Sequence, residues 1–196
     1  FSVLKEGFLS WSVPRSLRRA DVVVTLSDAV SAQIVAQFGV DPKRIAIVAS
    51  GIERIVESPA PMSWPPVVIY PAASYPHKNH AVLVGAFSRI ADRHPEARLV
   101  LTGGPGRAEG SLIVAVEQSG LAHRIEMTGR IPSDELAARL AGASVLAFPS
   151  LYEGFGIPVL EAMAAGVPVI VGSGTPAEDV AGGAGWSVDP DDVTGW

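Results

Sequence analysis

The sequence predicts an α/β protein built on a doubly wound parallel sheet, and two observations carry that expectation. Short β-rich runs are apolar throughout rather than alternating, which implies burial on both faces under covering helices. These runs also alternate along the chain with segments of helical periodicity. The strand candidates are Val22–Leu26, Ile45–Val48, Val67–Tyr70, Arg98–Thr102, Ile125–Thr128, Val145–Phe148 and Pro168–Val171. Val30, Ile34 and Phe38 line one face of the first helical segment, which Gly39 ends. Leu83, Ala86, Phe87, Ile90 and Ala91 line another, stopped by Pro95. Ser133 is expected to cap a third, with Asp134 and Glu135 in the first turn, where the helix dipole favours acids.

Composition narrows the class. The 196 residues are 48% hydrophobic and 18% charged, enough for one full core and part of a second. A net charge of -5 and the lack of a basic excess argue against nucleic acid as a partner. The absence of cysteine removes disulfides and thiolate zinc sites and fits a reducing compartment. No apolar run approaches the ~20 residues that span a bilayer. The chain opens at Phe1 without an initiator Met and stops soon after the turn Asp189–Asp192, which would normally cap a further helix; a piece of a longer polypeptide is expected.

One stretch breaks the rhythm. Glu57–Pro66 holds four prolines in ten residues, the composition of a semi-rigid spacer. Residues 1–51 are therefore read as the remnant of a preceding domain, 52–66 as a linker and 67–196 as a second domain.

In doubly wound folds ligands sit beyond the carboxyl ends of the strands, so the loops there are where chemistry is sought. The strongest signal is Pro149–Gly166, which follows the candidate strand Val145–Phe148. Glu153 and Glu161 bracket it, with Gly154, Phe155 and Gly156 between them; Pro158 suits a first helical turn and Gly166 a helix stop. A glycine loop opening a helix binds anions, because the backbone approaches closely and first-turn amides point outward. A diphosphate is the natural guest. Glu161, a turn inside the helix, can accept hydrogen bonds from a ribose diol, and Glu153 from the hydroxyls of a sugar. Ala72–His80 is the second signal: Lys78 lies where a helix opens, a position that opposes the dipole unless an anion lies between them. His77 and His80 flank it without a carboxylate ligand, so packing or capping is expected of both and no metal. Gly104 in the turn Gly103–Gly106, and Arg130 and Ile131 in Gly129–Pro132, follow further strands and can border a nucleotide. The glycine-rich Gly172–Pro176 can wall a sugar pocket. No dinucleotide fingerprint, Walker sequence or catalytic triad order is present.

At these residues the chain resembles glycosyltransferase family 4, the large group of retaining GT-B enzymes, from about Ala20 to Asp192. Glu153–Glu161 resembles the family's E-x7-E signature. Pro76–Asn79, PHKN, resembles its phosphate-binding motif in a variant of mannosyl- and rhamnosyltransferase-like members. Val24–Val35 resembles the end of the N-terminal domain. The resemblance implies a Rossmann-like GT-B fold that lacks most of the N-terminal domain and the final C-terminal helix. It implies that Lys78 binds the donor diphosphate and that Glu153 and the backbone of Gly154–Gly156 face the donor sugar. Ile157, Pro158, Val159 and Leu160 would bring amides to the phosphates, Glu161 would hold the ribose, and Arg130 and Ile131 would flank the base. Ala73 stands where the family often has a second phosphate-binding Arg.

The function so implied is transfer of a sugar, mannose or rhamnose, from a nucleotide-diphosphate sugar to a glycan or lipid-linked acceptor with retention of configuration. Lys78 and Glu153 would carry the chemistry without metal or other cofactor. The acceptor would be bound mainly by the missing domain, which would also supply a key active-site His and through which the protein would associate peripherally with the inner face of the membrane from the cytoplasm. Two alternatives share these features: a GT-B nucleotide-sugar epimerase and a non-catalytic nucleotide-sugar-binding module.

Overall fold

A computed structural model describes residues 3–52 and 64–196. They form two compact units, Phe1–Ser50 and Gly51–Trp196. Most of the proline-rich stretch read as a linker, 53 to 63, lies outside the described residues.

The smaller unit runs α1 (Val3–Arg19), β1 (Val23–Thr25), α2 (Asp28–Phe38) and β2 (Ile45–Ile47), with β1 and β2 parallel. Ser27 caps α2, its Oγ accepting from the Val30 amide at 3.3 Å, and Gly39 closes the helix at φ 64°. Left-handed backbone there costs glycine nothing. The Arg44 guanidinium donates to the Leu17 carbonyl at 3.0 Å and to that of Ala20, placing a cation at the negative end of α1. Among the described residues these apolar runs are not covered on both faces. Val23 and Thr25 are buried, whereas Val24 is 61% exposed and Val22 and Leu26 are exposed with it. Helix α2 packs on the two strands, and in β1 burial alternates with the two-residue period of a half-covered sheet, while no residue of β2 is fully buried.

The larger unit alternates strictly: β3 (Val67–Pro71), α3 (His80–Ile90), β4 (Arg98–Thr102), α4 (Glu109–Gln118), β5 (Ile125–Gly129), α5 (Ser133–Ala141), β6 (Val145–Phe148), α6 (Ile157–Ala164), β7 (Val169–Gly172), α7 (Pro176–Ala181) and β8 (Trp186–Val188). All strands are parallel, in the order β5-β4-β3-β6-β7-β8. Ile69, Leu99, Leu146, Val169 and Val171 are buried at its centre under Leu83 and Phe87 of α3 and Val159 of α6. This is the doubly wound arrangement, and its winding reverses between β3 and β6, beyond whose carboxyl ends such folds hold ligands in a crevice.

Two local expectations differ from the structure. The residue that enters α5 is Pro132 (φ -60°, ψ 155°), with Ser133 the first helical residue and no side-chain cap. Proline's fixed φ sets the entry that a serine hydroxyl was expected to set. Strand β8 was not anticipated, because Trp186 is 73% exposed at the sheet edge and its segment shows no apolar run. Among the described residues no helix is long and apolar enough to cross a membrane.

Candidate functional site

The crevice is walled on one side by the turn after β3. Pro76–Lys78 form a single 3-10 turn, too short to hold itself, and it is tied down from outside. The Tyr70 hydroxyl donates to the Lys78 carbonyl at 2.7 Å. The Leu151 amide donates to the His77 carbonyl at 2.8 Å, and Ser150 Oγ donates to it at 3.3 Å. Asn79 then takes left-handed backbone (φ 54°), and its Nδ2 donates to the Pro190 carbonyl at 2.7 Å. Asparagine is among the residues that tolerate this region. His80 opens α3 with its ring buried, 4.8 Å from the Tyr70 ring and with Nε2 at 3.2 Å from the Ala72 carbonyl. Burial lowers its pKa to about 4, so the ring is neutral and packs as expected. His77 stacks on Tyr75 with ring centres 5.9 Å apart.

The loop after β6 forms the other wall. Here the Lys78 ammonium meets the Glu153 carboxylate at 2.5 Å, with the side chains only 17% and 13% exposed. The pair joins the loops that follow β3 and β6, the two strands between which the sheet winding reverses. Lys78 was expected to need an anion to offset the dipole of α3, and in this structure the anion is Glu153. Gly156 has φ 110°, and a Cβ on it would lie 3.3 Å from Ala177 Cα, so the loop passes close against α7. Helix α6 then starts without a side-chain cap, with Pro158 in its first turn.

The structure narrows the expected run of phosphate-facing amides. Pro158 has no N–H, and the amides of Val159 and Leu160 turn back to the Gly156 carbonyl at 2.9 and 3.4 Å. The Val159 side chain is fully buried in the core. Of the four residues Ile157–Leu160, Ile157 is the one whose amide is not drawn into the helix. Glu161, one turn further on, is half-buried with no hydrogen-bond or ionic partner for its carboxylate among the described residues, and burial raises its pKa.

The remaining expected residues lie along the same strand ends. Gly103 (φ 143°) and Gly106 press against the turn after β3: a Cβ on them would lie 2.3 Å from the Ala72 carbonyl oxygen and 2.5 Å from that of Ser74. Buried Ser74 ties this seam, its Oγ accepting from the Gly106 amide at 2.8 Å and donating to the Glu109 carboxylate. Gly104 borders open space. Exposed Arg130 and half-buried Ile131 follow β5, two strands away from β3 in the sheet. Gly172 lies close to Pro190 and to the Ser150 carbonyl. A cavity of about 410 Å³ lies elsewhere, between α3 and the last residues of the chain, and contains neither Lys78 nor either glutamate. Tyr70, Ser150 and Ser74 were not singled out from the sequence; a polar tip inside an otherwise apolar strand, Val67–Tyr70, was the signal that Tyr70 offered.

Residues 51–195 match the family described as glycosyl transferases group 1. The chain belongs to that family. It is 31% identical to O-antigen chain mannosyltransferase B of Escherichia coli, over 95% of this chain and 52% of that one. It is 30% identical to the MMP alpha-(1->4)-mannosyltransferase of Mycolicibacterium hassiacum, over 86% of this chain and 41% of that one. The chain thus spans about half the length of the curated relatives it matches. Among solved structures it superimposes on HepE from Anabaena in complex with UDP and glucose, with a TM-score of 0.82 at 20% identity, covering 100% of this chain and 56% of that one. The fold of this group 1 glycosyl transferase chain is accordingly the Rossmann-like GT-B type. Lys78, Glu153 and Glu161 all fall within its family-matched residues.

Proposed function

We propose that the protein transfers a sugar, with retention of anomeric configuration, from a nucleotide-diphosphate sugar to a glycan or lipid-linked acceptor, and that residues 67–196 hold the donor. The observation that carries this reading is the Lys78–Glu153 pair, closed to 2.5 Å at the switch point of a GT-B sheet beside the N-terminus of α6. A lysine and a helix N-terminus facing one crevice stabilise the charge that grows on a departing diphosphate. Front-face attack follows, with that diphosphate helping to deprotonate the acceptor hydroxyl. Glu153 lies beside the ammonium, where its carboxylate can accept from sugar hydroxyls and offset positive charge on the anomeric carbon. Glu161 keeps a half-buried carboxylate without a partner among the described residues, as a group awaiting a ribose diol would. Arg130 and Ile131 flank the base, and Gly104 borders the nucleotide. With Ala73 in place of the family's Arg, Lys78 carries the diphosphate contact.

The sugar is mannose in this reading, supported by the names of two relatives that are mannosyltransferases. Residues 1–51 belong to the acceptor-side domain, which would bring the enzyme to a lipid-linked acceptor at the cytoplasmic face of a membrane. The test is turnover of a panel of mannose, rhamnose and glucose nucleotide-diphosphate sugars by the full-length protein, with the product anomer read by NMR. Transfer with retained configuration is expected. Interconversion of the donor sugar without acceptor would make it an epimerase, and binding without turnover a binding module.

A further inference from the structure

We propose that Tyr70 is a positioning residue for Lys78, its hydroxyl fixing the turn from which the ammonium reaches the donor diphosphate. The assignment rests on the donor-site reading above. Tyr70 is fully buried in β3, with its ring edge-on to Phe148 at 5.4 Å and against His80 at 4.8 Å. A phenylalanine would fill that space equally well. What the hydroxyl adds is the 2.7 Å bond to the Lys78 carbonyl and a hydrogen bond with Ser150, whose own hydroxyl reaches the His77 carbonyl of the same turn. Burial, and then the charge of Glu153, push the phenol's pKa well above its ordinary value, so it stays protonated and remains a donor.

The turn needs such a tether. Within it, the Lys78 amide bonds to the Tyr75 carbonyl at 3.0 Å and the Asn79 amide to the Pro76 carbonyl at 3.2 Å, one turn in all. The His77 carbonyl is held by Ser150 and Leu151 from the β6 loop. The Lys78 carbonyl is held by Tyr70, from the strand that leads into the turn. From that anchored backbone the Lys78 side chain passes over the Phe148 ring, with Nζ 5.9 Å from its centre, to reach Glu153. Phe148 therefore touches both the tyrosine and the ammonium it positions. Losing the tether frees the turn to move the ammonium while leaving the aromatic packing in place.

The test is Tyr70→Phe in the full chain, alone and combined with Lys78→Ala. Calorimetry measures binding of UDP and GDP against uridine and guanosine. Tyr70→Phe is expected to weaken binding of the favoured diphosphate about threefold to tenfold, the worth of one hydrogen bond, and to leave its nucleoside unchanged. In the Lys78→Ala background it is expected to have no further effect, because it acts through Lys78. Equal loss for diphosphate and nucleoside, no loss for either, or full additivity with Lys78→Ala would each overturn the assignment. If Lys78→Ala weakens diphosphate binding and Tyr70→Phe does not, Tyr70 alone is misassigned. If Lys78→Ala leaves diphosphate binding intact, the donor-site reading fails and the Tyr70 assignment with it.

Discussion

Lys78 sits where the dipole of α3 repels it, and Glu153 relieves that conflict at 2.5 Å. A donor diphosphate must share the ammonium with this carboxylate. Glu153→Gln should therefore tighten nucleoside-diphosphate binding by about 1 kcal/mol, the scale of a partly screened charge, while lowering sugar transfer. Calorimetry and a transfer assay measure the two effects, and unchanged or weaker diphosphate binding would speak against the shared site. His80 makes a second residue-scale prediction. Burial lowers its pKa to about 4, opposed by its bond to the Ala72 carbonyl, with the Lys78 charge lowering it and the Glu109 charge raising it. An unfolded histidine titrates near 6.5, about two and a half units higher. Between those values the unfolded chain binds a proton that the folded chain excludes. Stability should be fully present above about pH 6.5 and fall by up to about 3 kcal/mol as pH drops toward 4. Urea unfolding across that range should show the slope, and His80→Gln should flatten it. Lys78 and Glu153 were legible in the sequence because each follows a strand end and a loop whose residue types suit an anion. Tyr70 was not, because a tyrosine ending an apolar run reads as core until its hydroxyl is seen bonded to the turn that carries Lys78.

At the scale of elements, the site depends on how closely the loops after β3 and β4 approach. Gly103 is required there twice over, by its φ of 143° and by an Ala72 oxygen that would lie 2.3 Å from an added Cβ. Gly103→Ala should destabilise the protein by about 2–3 kcal/mol through strain and overpacking. Gly104→Ala, next to it but in open space, should stay within about 0.5 kcal/mol. Chemical denaturation of the two variants checks the difference, and equal costs would mean that the seam is not close-packed. The strands β3, β4, β6 and β7 were legible because central parallel strands are apolar on both faces, and the edge strand β5 through its short run Ile125–Thr128. The edge strand β8 was not, since one open face removes the apolar run. In the smaller unit the apolar run Val22–Leu26 has Val23 and Thr25 covered and Val22, Val24 and Leu26 exposed among the described residues. The α5 entry was misread because Pro132 and Ser133 both carry start signals, and propensity alone did not say which would be used.

At the scale of the whole chain, the two units differ in what holds them. The larger buries a sheet between helices, while the smaller leaves Val22, Val24, Leu26, Ile47 and Val48 exposed. Local stability follows buried apolar contact. Hydrogen exchange should be slowest in β3, β4, β6 and β7 and markedly faster in β1 and β2; comparable protection would mean that the smaller unit is held as firmly as the larger. The central claim, that the crevice between the β3 and β6 loops holds a nucleotide diphosphate through Lys78, is tested most directly by one calorimetric comparison. Wild-type protein and Lys78→Ala are titrated with the diphosphate that binds and with its nucleoside. One charge-assisted contact is worth about 1.5–3 kcal/mol, so the substitution should weaken diphosphate binding roughly tenfold to a hundredfold and leave the nucleoside unaffected. Equal loss for both ligands, or none for the diphosphate, would contradict the account.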